Sequence, residues 1–298
     1  MKQTNNLEGD RYSQANPLIS LITVVFNGKK SLEPTIQSVI NQSYKNIEYI
    51  LIDGGSTDGT VEIIKQYESY LNYWVSESDR GIYDAMNKGI KLAKGKIIGI
   101  LNSGDLYSLN ALQEVAELYL LNQISECLII TGAMSRFDTQ ADIEFIQQRN
   151  QTDLKRRINW GMPINHPATF ATKSVYETIG YFDPKLRICG DYDLIFRAYH
   201  SKLVKFVFTN SVLASMSMGG ISESLASISI RAGEALKIRQ NKLNIVYNAL
   251  ISLRLVLIGY AKHLLVALIG PKAILIRHKI NPNSRLKSSV GDRENLSY

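Results

Sequence analysis

The sequence predicts an α/β fold: a mostly parallel, doubly wound sheet flanked by helices, with a helical extension at its C-terminal end. Three observations lead there. Short runs of β-branched and aliphatic residues alternate with amphipathic segments from residue 18 to about residue 121, the pattern of successive βαβ units. Three of the strands so defined break into Asn or Asp: Asn27, Asp53, and Asn102 with Asp105. Past Gly219-Gly220 the composition shifts to Ile, Leu, Ala, Lys and Arg, which reads as a helical tail.

Taken in order, residues 1–17 are polar and form a flexible tail without the apolar stretch of a secretory signal. Leu18–Phe26 is the first buried strand, and Asn27-Gly28 turns the chain into a helix over Leu32–Ile40. Ile47–Asp53 is the second strand, followed by the loop Gly54–Gly59 and a helix over Thr60–Tyr70 with Val61, Ile64 and Tyr67 on one face. A short strand at Tyr73–Ser76 leads to a helix from Tyr83 to Ala93. Ile97–Leu101 carries no charge and reads as a strand buried on both faces, and a helix near Leu109–Leu121 follows its polar turn. After Leu128–Ile130 the pattern loosens into mixed strands and loops to about residue 170. Helices follow at Lys173–Ile179 and Tyr192–Ser201, then a strand at Leu203–Phe208. The organisation is therefore a tail over 1–17, one α/β domain over 18–220, a helical region over 221–280 and a disordered polar tail over 281–298.

The chain has 298 residues, enough for one large domain with an appendage, and a net charge of +7 weighted toward its end. That asymmetry suits an anionic partner such as nucleotide phosphate or acidic lipid. No nucleic-acid-binding motif accompanies it. Cys127 and Cys189 sit in unrelated contexts and imply neither a disulfide framework nor a zinc site, so a reducing, cytoplasmic compartment is expected.

In open α/β sheets, ligands sit just past the carboxyl ends of the strands, which is where the polar breaks fall. Asp53 can accept hydrogen bonds from a nucleobase or ribose, with glycines letting backbone come close; Asp58, before Gly59-Thr60, reads as a helix cap. Asp105 is the metal candidate, because Mg²⁺ and Mn²⁺ take oxygen ligands, often one or two carboxylates with the rest from water and phosphate. The alternative for Asp105 is a plain turn residue. Asp191 and Asp193 open a helix, which capping and the helix dipole explain as well as general-base work does. In Ser78–Gly89, Asp84 and Lys88 read as an i,i+4 surface pair and Arg80 as either plain helix surface or a phosphate contact. His166 has no second His at metal spacing and is either a loop histidine or a substrate contact.

These stretches resemble the inverting glycosyltransferases of family 2, which have the GT-A fold. The resemblance rests on LITVVFN at 20–27, ILIDGGSTDGT at 50–60, SDRGIYDAMNKGI at 78–90, LNSGD at 101–105, HPATF at 166–170 and GDYDLIFR at 190–197. Together they span about residues 18–220, and bacterial members that build surface polysaccharides look most similar. The resemblance implies that Val25, Phe26, Asn27 and Asp53 line a nucleotide pocket, with Asp53 facing the base of a UDP-like donor. It places Asp79, Arg80 and Asn87 on the donor wall and Asn102, Ser103 and Gly104 in the turn beside the donor. Asp105 then binds a divalent cation, Mg²⁺ or Mn²⁺, that bridges the diphosphate; His166 contacts acceptor or diphosphate; Asp191 is the base. Two departures stand out. The family's metal motif is usually written with two acidic residues, but here Asn102 leaves Asp105 alone, and the residue before the base, often acidic, is Gly190. The second leaves Asp191 and Asp193 both open as the base.

The implied reaction moves a sugar from a nucleotide-diphosphate donor to a hydroxyl of a saccharide acceptor, carried on lipid. Tyr247–Gly270 is long enough to span a bilayer, but Arg254, Lys262 and His263 lie within it. Asn248, Ser252, Gly259, Lys262 and His263 gather on one side, and Arg231, Lys237, Arg239, Lys242, Lys272, Arg277, His278 and Lys279 flank it. That pattern predicts an in-plane helix on anionic lipid at the inner face of the membrane. Two competing readings are a nucleotidyltransferase that makes nucleotide sugars, which needs a Gly-rich phosphate loop that Asn27–Lys30 does not supply, and a non-catalytic sugar- or lipid-binding module.

Overall fold

The computed structural model describes residues 16–138, 143–218, 224–269 and 284–286. Residues 1–15, the Gly219-Gly220 boundary and nearly all of the expected C-terminal tail lie outside them.

Strands β1 (Ile19–Val25), β2 (Ile47–Asp53), β3 (Tyr73–Ser76) and β4 (Ile97–Asn102) make a parallel half-sheet in the order β4-β1-β2-β3. Every residue of β1 is buried, Ser20 and Thr23 included, as in a strand covered on both faces. The helices that cover it are α1 (Leu32–Ile40), α2 (Thr60–Gln66) and α3 (Ile82–Leu92). The period-two alternation of the strands sorts the core into two layers. Ile22, Val24, Ile50, Ile52, Ile98 and Ile100 pack with Met86 and Ile90 of α3. Leu21, Val25, Leu51, Ile97 and Leu101 pack on the other face with Leu32, Ile36 and Val39 of α1. The register pairs Val24 with Asn102, Val25 with Asp53 and Asp53 with Ser76, which lines up the polar ends of four strands along one edge.

The second half of the sheet is built differently. The short β5 (Asp105–Tyr107) precedes α4 (Ala111–Leu121), and the region read only as mixed resolves into β6 (Leu128–Asp138), β7 (Ile143–Gln147), α5 (Gln151–Arg157), a 3₁₀ turn at His166–Ala168 and β8 (Thr169–Thr172). Here β8 pairs antiparallel with both β4 and β6, and β6 with β7. Helices α6 (Lys173–Ile179) and α7 (Gly190–Ser201) follow, α7 starting two residues before the expected Tyr192. Strand β9 (Lys205–Ser217) runs well past the expected Phe208, parallel to β6 and antiparallel to β5.

Helices α8 (Ser227–Arg239) and α9 (Ile245–Ile269) form the C-terminal helical region and pack on each other. Ser284–Leu286, within the stretch read as a disordered tail, pairs antiparallel with β7 as β10. Side chain alone gives no strand signal there; the open edge of β7 supplies the partner.

Candidate functional site

At the end of β2, Asp53 is fully buried and hydrogen-bonded within its own loop. Its carboxylate accepts from the backbone N–H of Gly55 (3.2 Å) and Ser56 (2.9 Å), the Ser76 hydroxyl (2.6 Å) and the Ser56 hydroxyl. Through these bonds Asp53, the residue expected to face a nucleobase, shapes the Gly54–Gly59 loop. That loop is tied to the one after β1. The Asn27 N–H donates to Ser56 Oγ (2.7 Å), and Asn27 Oδ1 accepts from the Thr57 N–H (3.0 Å), with Asn27 in the left-handed region at φ 50°. Val25 is buried beneath this junction, and Phe26 is 66% exposed above it. Asp58 accepts from the Thr60 N–H (3.1 Å) and the Lys29 N–H (3.0 Å), but the helix cap itself is Gly59, in the left-handed region, rather than the expected Asp58.

Beyond β3 the pairings differ from those expected. Arg80 pairs with Asp84 (2.9 Å), and Lys88 reaches Glu77 (2.7 Å) and Asp79. The expected Asp84–Lys88 pair is therefore corrected, because each finds a partner at the loop before the helix. Burial raises Asp79, against the pull of Lys88 beside it. Arg80 stands at the rim with a solvent-exposed side chain. Asn87, expected on the donor wall, has a buried amide that donates to the Phe182 carbonyl (2.8 Å) and accepts from the Phe182 N–H (3.0 Å), so it braces backbone there.

The turn between β4 and β5 is held from α1. The Gly104 N–H donates to Thr35 Oγ1 (2.9 Å), which donates to the Asp105 carbonyl (2.9 Å), and Ser103 Oγ lies 2.8 Å from Ser31 Oγ. Gly104 has φ +100°, a conformation that favours glycine. The Asp105 side chain is buried, and desolvation pushes its carboxyl up to about 7 against the opposing pull of Arg136. Three residues earlier, the buried Oδ1 of Asn102 has no hydrogen-bond partner. Among the described residues no group of three or more His, Cys, Asp or Glu side chains gathers to hold a metal. A buried carboxylate and an unsatisfied amide oxygen in one turn nevertheless suit a hard divalent cation whose other ligands are water and phosphate.

Asp191 is the second residue of α7. It shares with His166 a narrow cavity of about 20 Å³, room for one water, walled by Ile100, Tyr176, Phe182 and Leu194. Burial among these side chains raises the Asp191 carboxyl and lowers the His166 imidazole, and each charge partly counters the shift of the other. Asp193 lies outside the cavity lining. It takes the Arg197 Nε–H (2.8 Å), and the same guanidinium donates to the carbonyls of Tyr181 (2.7 Å) and Ile179, so Asp193 belongs to a brace between α7 and the end of α6. Gly190 has a local cause as well. A Cβ there would lie 2.7 Å from the Tyr83 ring. Tyr83, which nothing in the sequence singles out, comes from α3 to donate to the Ile188 carbonyl (2.7 Å) and stacks on Phe182.

The structure thus brings His166 and Asp191 to one cavity. The 3₁₀ turn bearing His166 also contacts β4 and β5, the strands that flank the Asn102–Asp105 turn. Asp53 is not part of the cavity lining.

The sequence model of glycosyl transferase family 2 matches residues 20–180, more than half of the chain. The chain belongs to that family. This family 2 glycosyltransferase is 34% identical to an uncharacterized glycosyltransferase of Mycobacterium tuberculosis over 188 residues, 61% of this chain and 69% of that protein. It is 27% identical to a PGL/p-HBAD biosynthesis glycosyltransferase of Mycobacterium bovis over 220 residues, 71% of this chain and 81% of the relative. Among solved structures, S. aureus TarS 1-349 in complex with UDP-GlcNAc superposes with a TM-score of 0.56 at 16% identity, covering 78% of this chain and 70% of that one. A mannosyltransferase from Pyrobaculum calidifontis, solved with GDP-Man and Mn²⁺, superposes with a TM-score of 0.55 at 17% identity, over 89% of this chain and 79% of that one. The glycosyltransferase shares with them the GT-A fold, a mixed central sheet flanked by helices.

Among the described residues of this glycosyltransferase, one helix, Ile245–Leu268, is long and apolar enough to cross a membrane. Its polar stripe faces the protein. Asn248, Ile251 and Ser252 are buried, and a Cβ on Gly259 would lie 2.9 Å from Ile228 of α8. Leu250, Leu253, Leu257, Ile258, Leu264 and Leu268 point outward. Arg239, expected among the lipid-facing cations, is corrected: it is fully buried, bonded to Asn248 Oδ1 (2.9 Å), Ser252 Oγ (2.7 Å) and the Asn159 carbonyl (3.2 Å). Arg254 stacks on Trp160, 4.4 Å from its ring.

Proposed function

We propose that the chain is an inverting glycosyltransferase that moves a hexosyl or hexosaminyl unit from a UDP-type donor to a hydroxyl of a lipid-linked saccharide, in building bacterial surface polysaccharide. The observation that carries this reading is Asp191, at the head of α7, sharing one cavity with His166 under apolar walls. An alcohol ionises far above neutral pH, so its attack on the anomeric carbon needs a base in the transition state, worth roughly 10²–10⁴-fold. A carboxylate whose affinity for protons is raised by burial takes that proton more readily than one in water. Only one water fits beside the pair, so the acceptor hydroxyl meets Asp191 at the cavity mouth and bulk solvent is kept away. His166, driven toward neutrality, hydrogen-bonds the acceptor or the departing diphosphate.

The donor lies along the strand edge, over the Asn27–Thr57 junction, with Phe26 and the rim residues Asp79 and Arg80 about it. Asp53 fixes the loop beneath. Asp105 and Asn102 would hold a divalent cation, Mn²⁺ or Mg²⁺, which when bound neutralises charge developing on the leaving diphosphate. The Mn²⁺ and GDP-Man of the Pyrobaculum calidifontis mannosyltransferase and the UDP-GlcNAc of TarS support a cation and a nucleotide-sugar donor. The biosynthetic name of the Mycobacterium bovis relative supports a cell-surface product. The outward leucines of α9 rest in the cytoplasmic leaflet, which holds the enzyme at the inner face of the cell membrane beside a lipid-linked acceptor.

The test is nucleotide release by the purified full chain with Mn²⁺, over a panel of UDP- and GDP-sugars. Asp191→Asn is expected to lower turnover at least about 100-fold while donor binding persists. Near-normal turnover of that variant would remove Asp191 as the base.

A further inference from the structure

Helix α8 is basic apart from one residue: Arg231, Lys237 and Arg239 share it with the single acid Glu234. Glu234 is 9% exposed and turns into the protein. Its Oε1 accepts from the Arg187 N–H (2.7 Å), and its Oε2 accepts from the N–H groups of Ile188 (3.1 Å) and Cys189 (2.9 Å). One carboxylate therefore holds three consecutive backbone amides. Burying a charge is unfavourable unless such donors satisfy it, and charge-assisted hydrogen bonds are the strong ones.

The three amides belong to the segment that runs directly into α7. Cys189 is the residue before the helix, its carbonyl accepts the Asp193 N–H (2.8 Å), and Asp191 sits in the first turn. The same segment is held from its other side, where Tyr83 donates to the Ile188 carbonyl (2.7 Å). Held on both its N–H and C=O sides, the entry to α7 has little freedom, and with it the height and direction of the Asp191 carboxylate.

We propose that Glu234 is a positioning residue for the base: through the Arg187–Cys189 backbone it sets where Asp191 meets the acceptor hydroxyl. The proposal rests on the reading of Asp191 as the base. Its physical motive is that a misplacement of about 1 Å costs on the order of 10²-fold in rate. Glutamine at 234 keeps the size but must turn an NH₂ toward an N–H donor, so at least one of the three bonds is lost. Aspartate keeps the charge and shortens the reach.

The experiment compares Glu234→Gln, Glu234→Asp, Asp191→Asn and the Glu234→Gln/Asp191→Asn double variant in the full chain. Turnover is read with whichever of UDP-glucose, UDP-galactose, UDP-N-acetylglucosamine and GDP-mannose the wild type uses best. Amide exchange over Arg187–Cys189 is read alongside. Glu234→Gln is expected to lower kcat by about 10–100-fold with the donor KM unchanged and those amides exchanging faster. Glu234→Asp should regain part of the loss. In the Asp191→Asn background, Glu234→Gln should subtract nothing more.

An inactive Asp191→Asn beside a fully active Glu234→Gln overturns the positioning role and leaves the base reading standing. Wild-type turnover by Asp191→Asn overturns both. A Glu234→Gln loss that multiplies in full with that of Asp191→Asn, or that falls equally on KM, also overturns the proposal. Unchanged amide exchange in Glu234→Gln does so without reference to any substrate. If Glu234→Gln fails to fold, Glu234→Asp carries the same test, and an unaltered kcat there counts against the role.

Discussion

Asp191 and His166 line the same small cavity, a carboxylate and an imidazole between which burial works against charge on both sides. Desolvation raises the acid and lowers the base, and the protonated imidazole pulls the acid back down. Protons on the two groups are therefore linked, and the activity of one reports on the other.

That linkage fixes a pH dependence. Asp191 works only when deprotonated, and its raised proton affinity places the acid-side fall in kcat/KM above the range of an exposed carboxylate. Removing the imidazole removes the largest of the influences that lower Asp191, while the hydrogen bonds from the Tyr192 N–H and the Tyr83 hydroxyl stay. In His166→Gln the acid-side fall should move to higher pH. The check is the pH profile of both proteins; superimposable acid limbs would mean the two groups do not communicate.

The two aspartates of α7 should separate cleanly. Asp193 is bonded to Arg197, which also braces Ile179 and Tyr181, so Asp193→Asn should cost about 1–2 kcal/mol in urea unfolding and leave turnover within a few-fold. Asp191→Asn should do the reverse. Loss of activity in Asp193→Asn without loss of stability would exchange their roles.

Asp105 ties stability to pH in metal-free buffer. Its folded-state pKa of about 7 lies above the ordinary carboxylate value of 3.8, so the folded state binds the proton more tightly. Stability is fully present below about pH 4 and falls as pH rises toward 7, by at most about 4 kcal/mol. With EDTA present, Asp105→Asn should raise Tm at pH 8 relative to the wild type, and much less at pH 4. Adding Mn²⁺ at pH 8 should raise the Tm of the wild type and not of the variant. Thermal unfolding across pH, with and without Mn²⁺, reads both effects.

The outward face of α9 gives a membrane prediction. Leu250 and Leu257 are 59% and 61% exposed, so Leu250→Glu with Leu257→Glu removes apolar surface without opening the core. Sedimentation with vesicles containing anionic phosphatidylglycerol should drop several-fold while Tm stays within about 2 °C. Unchanged sedimentation would mean that these leucines face something other than lipid.

The parallel half of the sheet was legible because its strands are short, largely apolar runs bounded by polar turns. Leu32–Ile40, Ile47–Asp53 and Tyr73–Ser76 end where their patterns end. Strand β9 runs on past Phe208 because its later residues find partners on β5 and β6, a long-range cause that a local window does not contain. The same divide runs through the site. Asp105 and Asp191 stand beside recognisable turns. Asn87 and Asp53 look like ligand-facing polar residues in one dimension, yet in three their hydrogen-bonding capacity goes to Phe182 and to the Ser56 and Ser76 neighbourhood. Glu234 acts on backbone atoms that any residue would offer, so no side-chain pattern could mark it. Tyr83 lies within the SDRGIYDAMNKGI stretch, but its reach to the Ile188 carbonyl and to Asp191 spans over a hundred residues.

The buried guanidinium of Arg239 bears on how a soluble form of this protein should be made. Cutting the chain just before Ile245 discards Asn248 and Ser252 together, which leaves Arg239 the Asn159 carbonyl of the three acceptors and uncovers the apolar surface around it. Such a truncated protein would lose a packing surface together with two side-chain partners, and its poor behaviour would be misread as a need for lipid. A shortened version should end after Ser252, or carry an uncharged residue of similar length at 239.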